Sequence, residues 1–156
     1  MTEESRPLLD ELRLAADFVA HALRVSGYRA DWSPASLWDL ERFFCEHVAE
    51  GAPRPGGLLA VDTGKRVFAL GSYLGEVVRR DLAGEWIVDE LDDHPEVSAA
   101  IQFPDGTRTW PVQQVMRRIV NGRRDGIVQY AVALGVEVGP LPGDARRWWS
   151  RWRRKR

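Results

Sequence analysis

The sequence holds a single cysteine, Cys45, so no disulfide can form within the chain and a multi-cysteine zinc site is excluded. Histidine is nearly as scarce, with three residues. No run of about 18 uncharged apolar residues occurs, so no transmembrane helix is expected. The opening residues Met1–Arg6 carry Glu3 and Glu4 and no apolar stretch. No secretory signal is therefore expected, and the cytoplasm is the expected location. GxxxxGK[ST], GxGxxG, GxSxG and HExxH are all missing. The commonest nucleotide-binding, hydrolase and metalloprotease signatures go with them, and no cofactor is implied.

What is present is ample for one folded domain. The chain has 156 residues, 44% of them hydrophobic and 29% charged. A chain of this size buries about 68–70% of its extended surface on folding. Its apolar content is too high for disorder, and its 14 glycines and 9 prolines follow no collagen-like period.

The net charge of −1 conceals two opposed regions. Residues 146–156 read RRWWSRWRRKR and carry seven basic and no acidic residues. All 23 acidic residues lie in 1–145 beside 15 basic ones, giving a body of −8 and a tail of +7. Three of the seven tryptophans, Trp148, Trp149 and Trp152, also fall in the tail. The pattern predicts a single acidic domain over 1–138, a Pro/Gly linker over 139–145 and a basic aromatic tail over 146–156.

Hydrophobic spacing organises the body. Leu8, Leu12, Ala15, Ala16, Val19, Ala20 and Leu23 recur at three and four over Pro7 to Ser26 and predict a helix stopped by Gly27. A second helix is expected to start at Ser33 as cap and Pro34 as first residue, with Trp32 packing on Leu37 and a stripe of Leu37, Leu40, Phe44 and Val48. Gly51–Gly57 reads as a loop. A third helix is expected over Ala60–Leu82 on Val67, Leu70, Leu74, Val77 and Val78. The period then changes: Trp86–Val88, Val97–Phe103 and Thr107–Trp110 predict strands, with a hairpin turn at Pro104-Asp-Gly106. Pro111–Val120 predicts a helix on Val112, Val115, Met116 and Ile119, and Asp125 is expected to cap a last one over Gly126–Leu134. Trp86 and Trp110 are expected in the core. The expected fold is α+β: a helical N-terminal half, a three-stranded antiparallel meander and two short C-terminal helices.

Four pieces in order carry a resemblance: Asp31-Trp-Ser-Pro-Ala-Ser-Leu37, Leu70-Gly-Ser-Tyr-Leu-Gly-Glu76, Gly84-Glu-Trp86, and Trp110-Pro111 leading to Arg117-Arg118 and Asn121-Gly122. Together they resemble a group of small bacterial domains of unknown function. The resemblance covers roughly residues 30–135 and leaves out both termini. It implies an α+β domain and assigns no catalytic residue.

Candidate chemistry follows from residue types. Gly71 and Gly75 share one face of the third helix, which suits close backbone approach. The alternative is a ligand or partner groove formed by Gly71, Tyr73, Gly75 and Glu76. Cys45 and His47 lie two apart on a helix and diverge, so they make no local dyad. His21 or His94 would have to serve Cys45 from elsewhere in the fold. Asp89-Glu-Leu-Asp-Asp-His-Pro-Glu96 offers oxygen ligands but lacks the spacing of a calcium loop, so a solvated loop is expected and no metal site. Asp62-Thr-Gly64 matches the aspartic-protease triplet by three residues only and is expected to start a helix.

The tail is the most discriminating feature. As a helix it would place Trp148, Trp149 and Trp152 on one side and Arg147, Arg151 and Arg154 on another. Such a segment suits an anionic membrane surface or an acidic protein partner. It also suits nucleic acid, through phosphate neutralisation and base stacking. A third possibility is docking on the acidic body. Eleven residues are too few for a stable isolated helix, so some surface must order them. The expected function is a non-enzymatic interaction protein acting through the tail, possible peripheral placement at a membrane included. The alternatives are a nucleic-acid-binding regulator, or an enzyme using Glu76 or the 89–96 carboxylates with His94.

Overall fold

The structure is a computed structural model that describes residues 5–89, 91–143, 147, 149 and 150. Its first helix, α1 (Ser5–Val25), buries Leu9, Leu12, Ala16, Val19, Ala20 and Leu23. It ends where Gly27 takes φ +91°. The Gly27 amide donates to the Arg24 carbonyl at 3.1 Å and the Tyr28 amide to that of Leu23 at 2.9 Å. This is a Schellman closure, and it turns Tyr28 back into the core.

Helix α2 (Ser36–His47) starts later than Ser33 because its entry is a tight turn of i to i+3 bonds from Ser36, Leu37 and Trp38. The Ser33 hydroxyl still accepts the Ser36 amide at 3.2 Å, the geometry of a cap three residues ahead. The Gly51–Gly57 loop needs correcting at its start. There Ala52–Pro53 (β2) pairs with Val48–Ala49 (β1) as a minimal hairpin. Glu50 and Gly51 form the two-residue turn with φ of 55° and 80°, and left-handed pairs of this kind match strand twist.

Helix α3 (Thr63–Asp81) is the central element. From Ala69 to Val78 every residue is buried, because α1 packs on one side and α5 on another. Strands β3 (Glu85–Ile87), β4 (Ala100–Gln102) and β5 (Arg108–Thr109) form the antiparallel meander, with Trp86 opposite Ile101 and Ile101 opposite Thr109. The expected strand Val97–Phe103 is shorter than its pattern. Pro95–Ser98 forms a helical turn, α4, with Pro95 at its first position, where the missing amide costs nothing.

Helix α5 (Pro111–Asn121) ends at Gly122 and runs into a 3-10 turn over Gly122–Asp125. Helix α6 (Ile127–Leu134) follows. Asp125 does not cap α6: its Oδ2 accepts the Asn121 amide group at 2.6 Å instead. Trp110 and Met116, expected inside, are 40% and 42% exposed. After α6 the chain returns over the body, burying Val136 and Val138, and the Trp38 indole N–H donates to the Gly139 carbonyl at 3.1 Å. The fold is α+β.

Candidate functional site

Gly71 and Gly75 face other parts of the protein. A Cβ on Gly71 would lie 2.6 Å from Val112 Cα, so this glycine sets how closely α3 and α5 approach. A Cβ on Gly75 would lie 2.5 Å from Trp86 Cζ2 and 3.1 Å from Pro111 Cγ. Tyr73 is fully buried between them and points toward α2, where its hydroxyl bonds with Ser36 Oγ at 2.7 Å and accepts the Trp32 amide at 3.2 Å.

Glu76 points to the meander. It accepts from Trp86 Nε1 at 2.8 Å, Arg79 Nε at 3.0 Å, Arg79 Nη2 at 2.9 Å and Arg80 Nε at 3.2 Å. Burial alone would raise its carboxyl, but the Arg79 and Trp86 hydrogen bonds and the two arginine charges outweigh that and lower it. Gly71, Tyr73, Gly75 and Glu76 thus fasten α3 to α5, α2 and β3, and the face the glycines leave is filled by Val112, Trp86 and Pro111. His94 is exposed on the 89–96 loop, while Tyr73 and Glu76 are buried on α3.

The 89–96 run folds as capped turns. Asp89 Oδ1 accepts the Leu91 amide at 3.0 Å and Asp92 Oδ1 the His94 amide at 2.8 Å. Glu90 lies outside the described residues. Among the described residues no group of three or more His, Cys, Asp or Glu is arranged to hold a metal ion.

The chemistry that sequence patterning left unassigned lies between α2, α5 and α6. Glu41, 1% exposed, is clasped by Arg118, 3% exposed. Arg118 Nε donates to Glu41 Oε1 at 3.0 Å and Nη2 to Oε2 at 2.7 Å. The Ile127 amide donates to Oε1 at 3.0 Å, so Glu41 caps α6 in place of Asp125. Cys45 completes the group: its thiol donates to Glu41 Oε2 at 3.4 Å. Burial, then the Glu41 charge, pushes this thiol up to about 12. Cys45 is therefore a protonated thiol at neutral pH and no nucleophile.

This network backs onto a cleft of about 640 Å³ between the β1–β2 hairpin, the end of α5 and the 3-10 turn. Arg54, Arg118, Arg123 and Arg124 line it, and Glu50 is the one acidic residue among the described residues that do so. The tail reaches the same place. Trp149 packs on Cys45 with Leu141 and meets the Trp38 ring edge-on at 5.7 Å. The Arg123 guanidinium stacks over the Trp149 ring at 4.0 Å. Arg147 is exposed. Trp148, Arg151, Trp152 and Arg154 lie outside the described residues.

A larger, mainly apolar groove of about 1030 Å³ runs along α1 and α3. Leu14 and Phe18, 69% and 72% exposed, stand at its edge. Among the described residues no helix is long and apolar enough to cross a membrane.

A signal for the Glu41–Arg118 pair did exist in the sequence. Glu41 interrupts the apolar stripe of α2 four residues from both Leu37 and Cys45, and Arg118 follows Val115 by three on α5. A charge on an apolar stripe is rarely left unpaired. Comparison of the chain with family models, curated proteins and solved structures gives no match, so its function is argued from the geometry above.

Proposed function

We propose that the chain is a non-enzymatic interaction protein of the small bacterial α+β type, whose basic tail contacts an anionic membrane surface. The observation that carries this reading is the separation of charge: +7 in the last eleven residues against −8 in the rest. The contact of Trp149 with Trp38, Cys45 and Arg123 supports it, because it roots the tail beside the arginine-lined cleft. A rooted segment loses less conformational freedom on binding than a free one. Tryptophan and arginine together suit the interface, where indole inserts and each basic residue adds about 1 kcal/mol near anionic lipid.

The test compares the full chain with one ending at Arg147 for binding to phosphatidylserine-containing vesicles. The full chain is expected to bind and the shortened chain to lose binding while keeping its circular dichroism. Replacing Trp148 and Trp152 by Ala is expected to weaken binding more than raised salt does, since salt does not screen an apolar term. Binding to single-stranded nucleic acid with a steep salt dependence, and none to vesicles, would replace this reading by the nucleic-acid one. Binding to neither would end both.

A further inference from the structure

We infer that the face shared by α1 and the start of α3 joins two copies of this chain, their α1 helices antiparallel about Phe18. This goes beyond the tail's contact with a surface and uses no residue of the tail. Helix α1 is apolar on two sides. Leu12, Ala16, Val19 and Leu23 face the core. Leu14, Phe18, half-buried Ala22 and Val25 form a second stripe at spacings of four, four and three. At 3.6 residues per turn this stripe lies about 150° round the helix from the first. Leu14, Phe18 and Val25 all stay exposed, Val25 by 74%. A helix with a second apolar stripe has a second neighbour to pack against.

The apolar groove of about 1030 Å³ lies beside that stripe, and exposed Leu58 borders it. Projecting side chains and a groove to receive them therefore share one face. A two-fold contact requires this, because each copy offers the same patch.

The charges at the two ends of the groove select a second copy. Arg66 Nη1 donates to the Leu58 carbonyl, and the Leu58 amide donates to His47 Nδ1 at 3.3 Å. His47 Nε2 in turn bonds with the hydroxyl of Tyr28, just past the end of α1, at 3.2 Å. Arg66 and Lys65, with Asp62, therefore sit at the C-terminal end of α1. Glu11 lies at the other end. Glu96 joins it from α4: the neighbouring Val97 carbonyl accepts from Gln113, and Val112 beside that packs on Gly71, farther along α3 than Lys65. Among the described residues, Glu11, Glu96 and Lys65 enter no ion pair.

Glu11 and Val25 each lie seven residues from Phe18, about 10 Å along the helix. A two-fold axis at Phe18 thus sets Glu11 and Glu96 of one copy against Lys65 and Arg66 of the other, and does so twice. Parallel helices would set like charges together, which disfavours that pairing. An unrelated partner would have to bring both signs at this spacing; a second copy already carries them.

The experiment is sedimentation equilibrium of the full-length chain across the micromolar range. A reversible monomer–dimer equilibrium is expected. Phe18→Asp should leave a monomer with unchanged circular dichroism, since Phe18 takes no part in the core. Glu11→Lys and Lys65→Glu should each weaken the dimer about tenfold, because every reversal counts twice in a two-fold contact. The double variant should restore it. Trp148→Ala with Trp152→Ala should lose vesicle binding and keep the dimer, so this inference and the tail reading fail separately. A monomer at every concentration would overturn the inference and leave the face to a different protein. A dimer that survives Phe18→Asp, or a double reversal no tighter than the single ones, would overturn it as well.

Discussion

Arg118 and Glu41, 77 residues apart in sequence, form a buried ion pair whose carboxylate also accepts the first amide of α6. The pair ties α2, α5 and α6 together at one point. Removing one partner strands the other charge, so Glu41→Leu and Arg118→Met are each expected to cost about 3–5 kcal/mol. The double variant should recover most of that loss, because two apolar side chains need no pairing. Urea unfolding of the three variants measures it; a double variant as unstable as the sum of the singles would show that the α6 cap dominates.

Gly71 is expected to tolerate no side chain. Gly71→Ala sets a Cβ against backbone of α5, and about 1–3 kcal/mol of destabilisation follows from overpacking. Gly64→Ala is the matched control, since a Cβ there meets nothing within 4 Å and alanine favours the helix. It should leave stability unchanged or raise it by about 0.4–1 kcal/mol. Equal effects at the two positions would remove the close-approach argument.

Stability is expected to fall in acid in two stages. His47 has its imidazole lowered from the usual value, first by burial and then by the Arg54 charge, with Glu46 opposing. Its Nδ1 accepts the Leu58 amide at 3.3 Å, a bond that protonation destroys. A folded value below the unfolded one means the contribution is present above about pH 6.5 and is lost as the pH falls below it. Asp31 is lowered to about 2: burial opposes this, but hydrogen bonds from Ser33 and Arg29 prevail. Its contribution is lost between about pH 4 and pH 2. Melting temperatures across pH 8 to 2 should show both steps, and Asp31→Asn should flatten only the second.

Cys45 is expected to react with a thiol reagent only after unfolding. It is 4% exposed and its thiol is pushed up to about 12 by burial and then by Glu41. Rapid modification of the folded protein at pH 8 would contradict the buried network.

Trp149→Ala is expected to cost about 1–2 kcal/mol, less than a full core tryptophan, because the ring is only half-buried against Trp38 and Cys45. Guanidinium denaturation checks this. A neutral outcome would mean that the tail contact carries no stability.

The sequence by itself determined the helices, the meander and the charge division. Apolar side chains must be hidden at whatever period the backbone presents them, so α1, α2, α3 and α5 could be read from spacing alone. Pro104-Asp-Gly106 closes a hairpin for local reasons, and a local reason survives in any tertiary context. What spacing missed was decided between elements. Val97 and Ser98 alternate like a strand, but Pro95 starts a helical turn there and no partner strand extends to meet them. Asp125 stands where a cap belongs, but the Glu41 carboxylate, delivered by α2, satisfies the Ile127 amide from inside. The glycines of α3 look alike in sequence whether a groove or a helix lies across them, and only the position of Val112, Trp86 and Pro111 distinguishes the two. The arginine cleft was the least legible feature, because Arg54, Arg118, Arg123 and Arg124 share no local pattern. Charges separated along the chain acquire a common field only when folding brings them within a Debye length of one another.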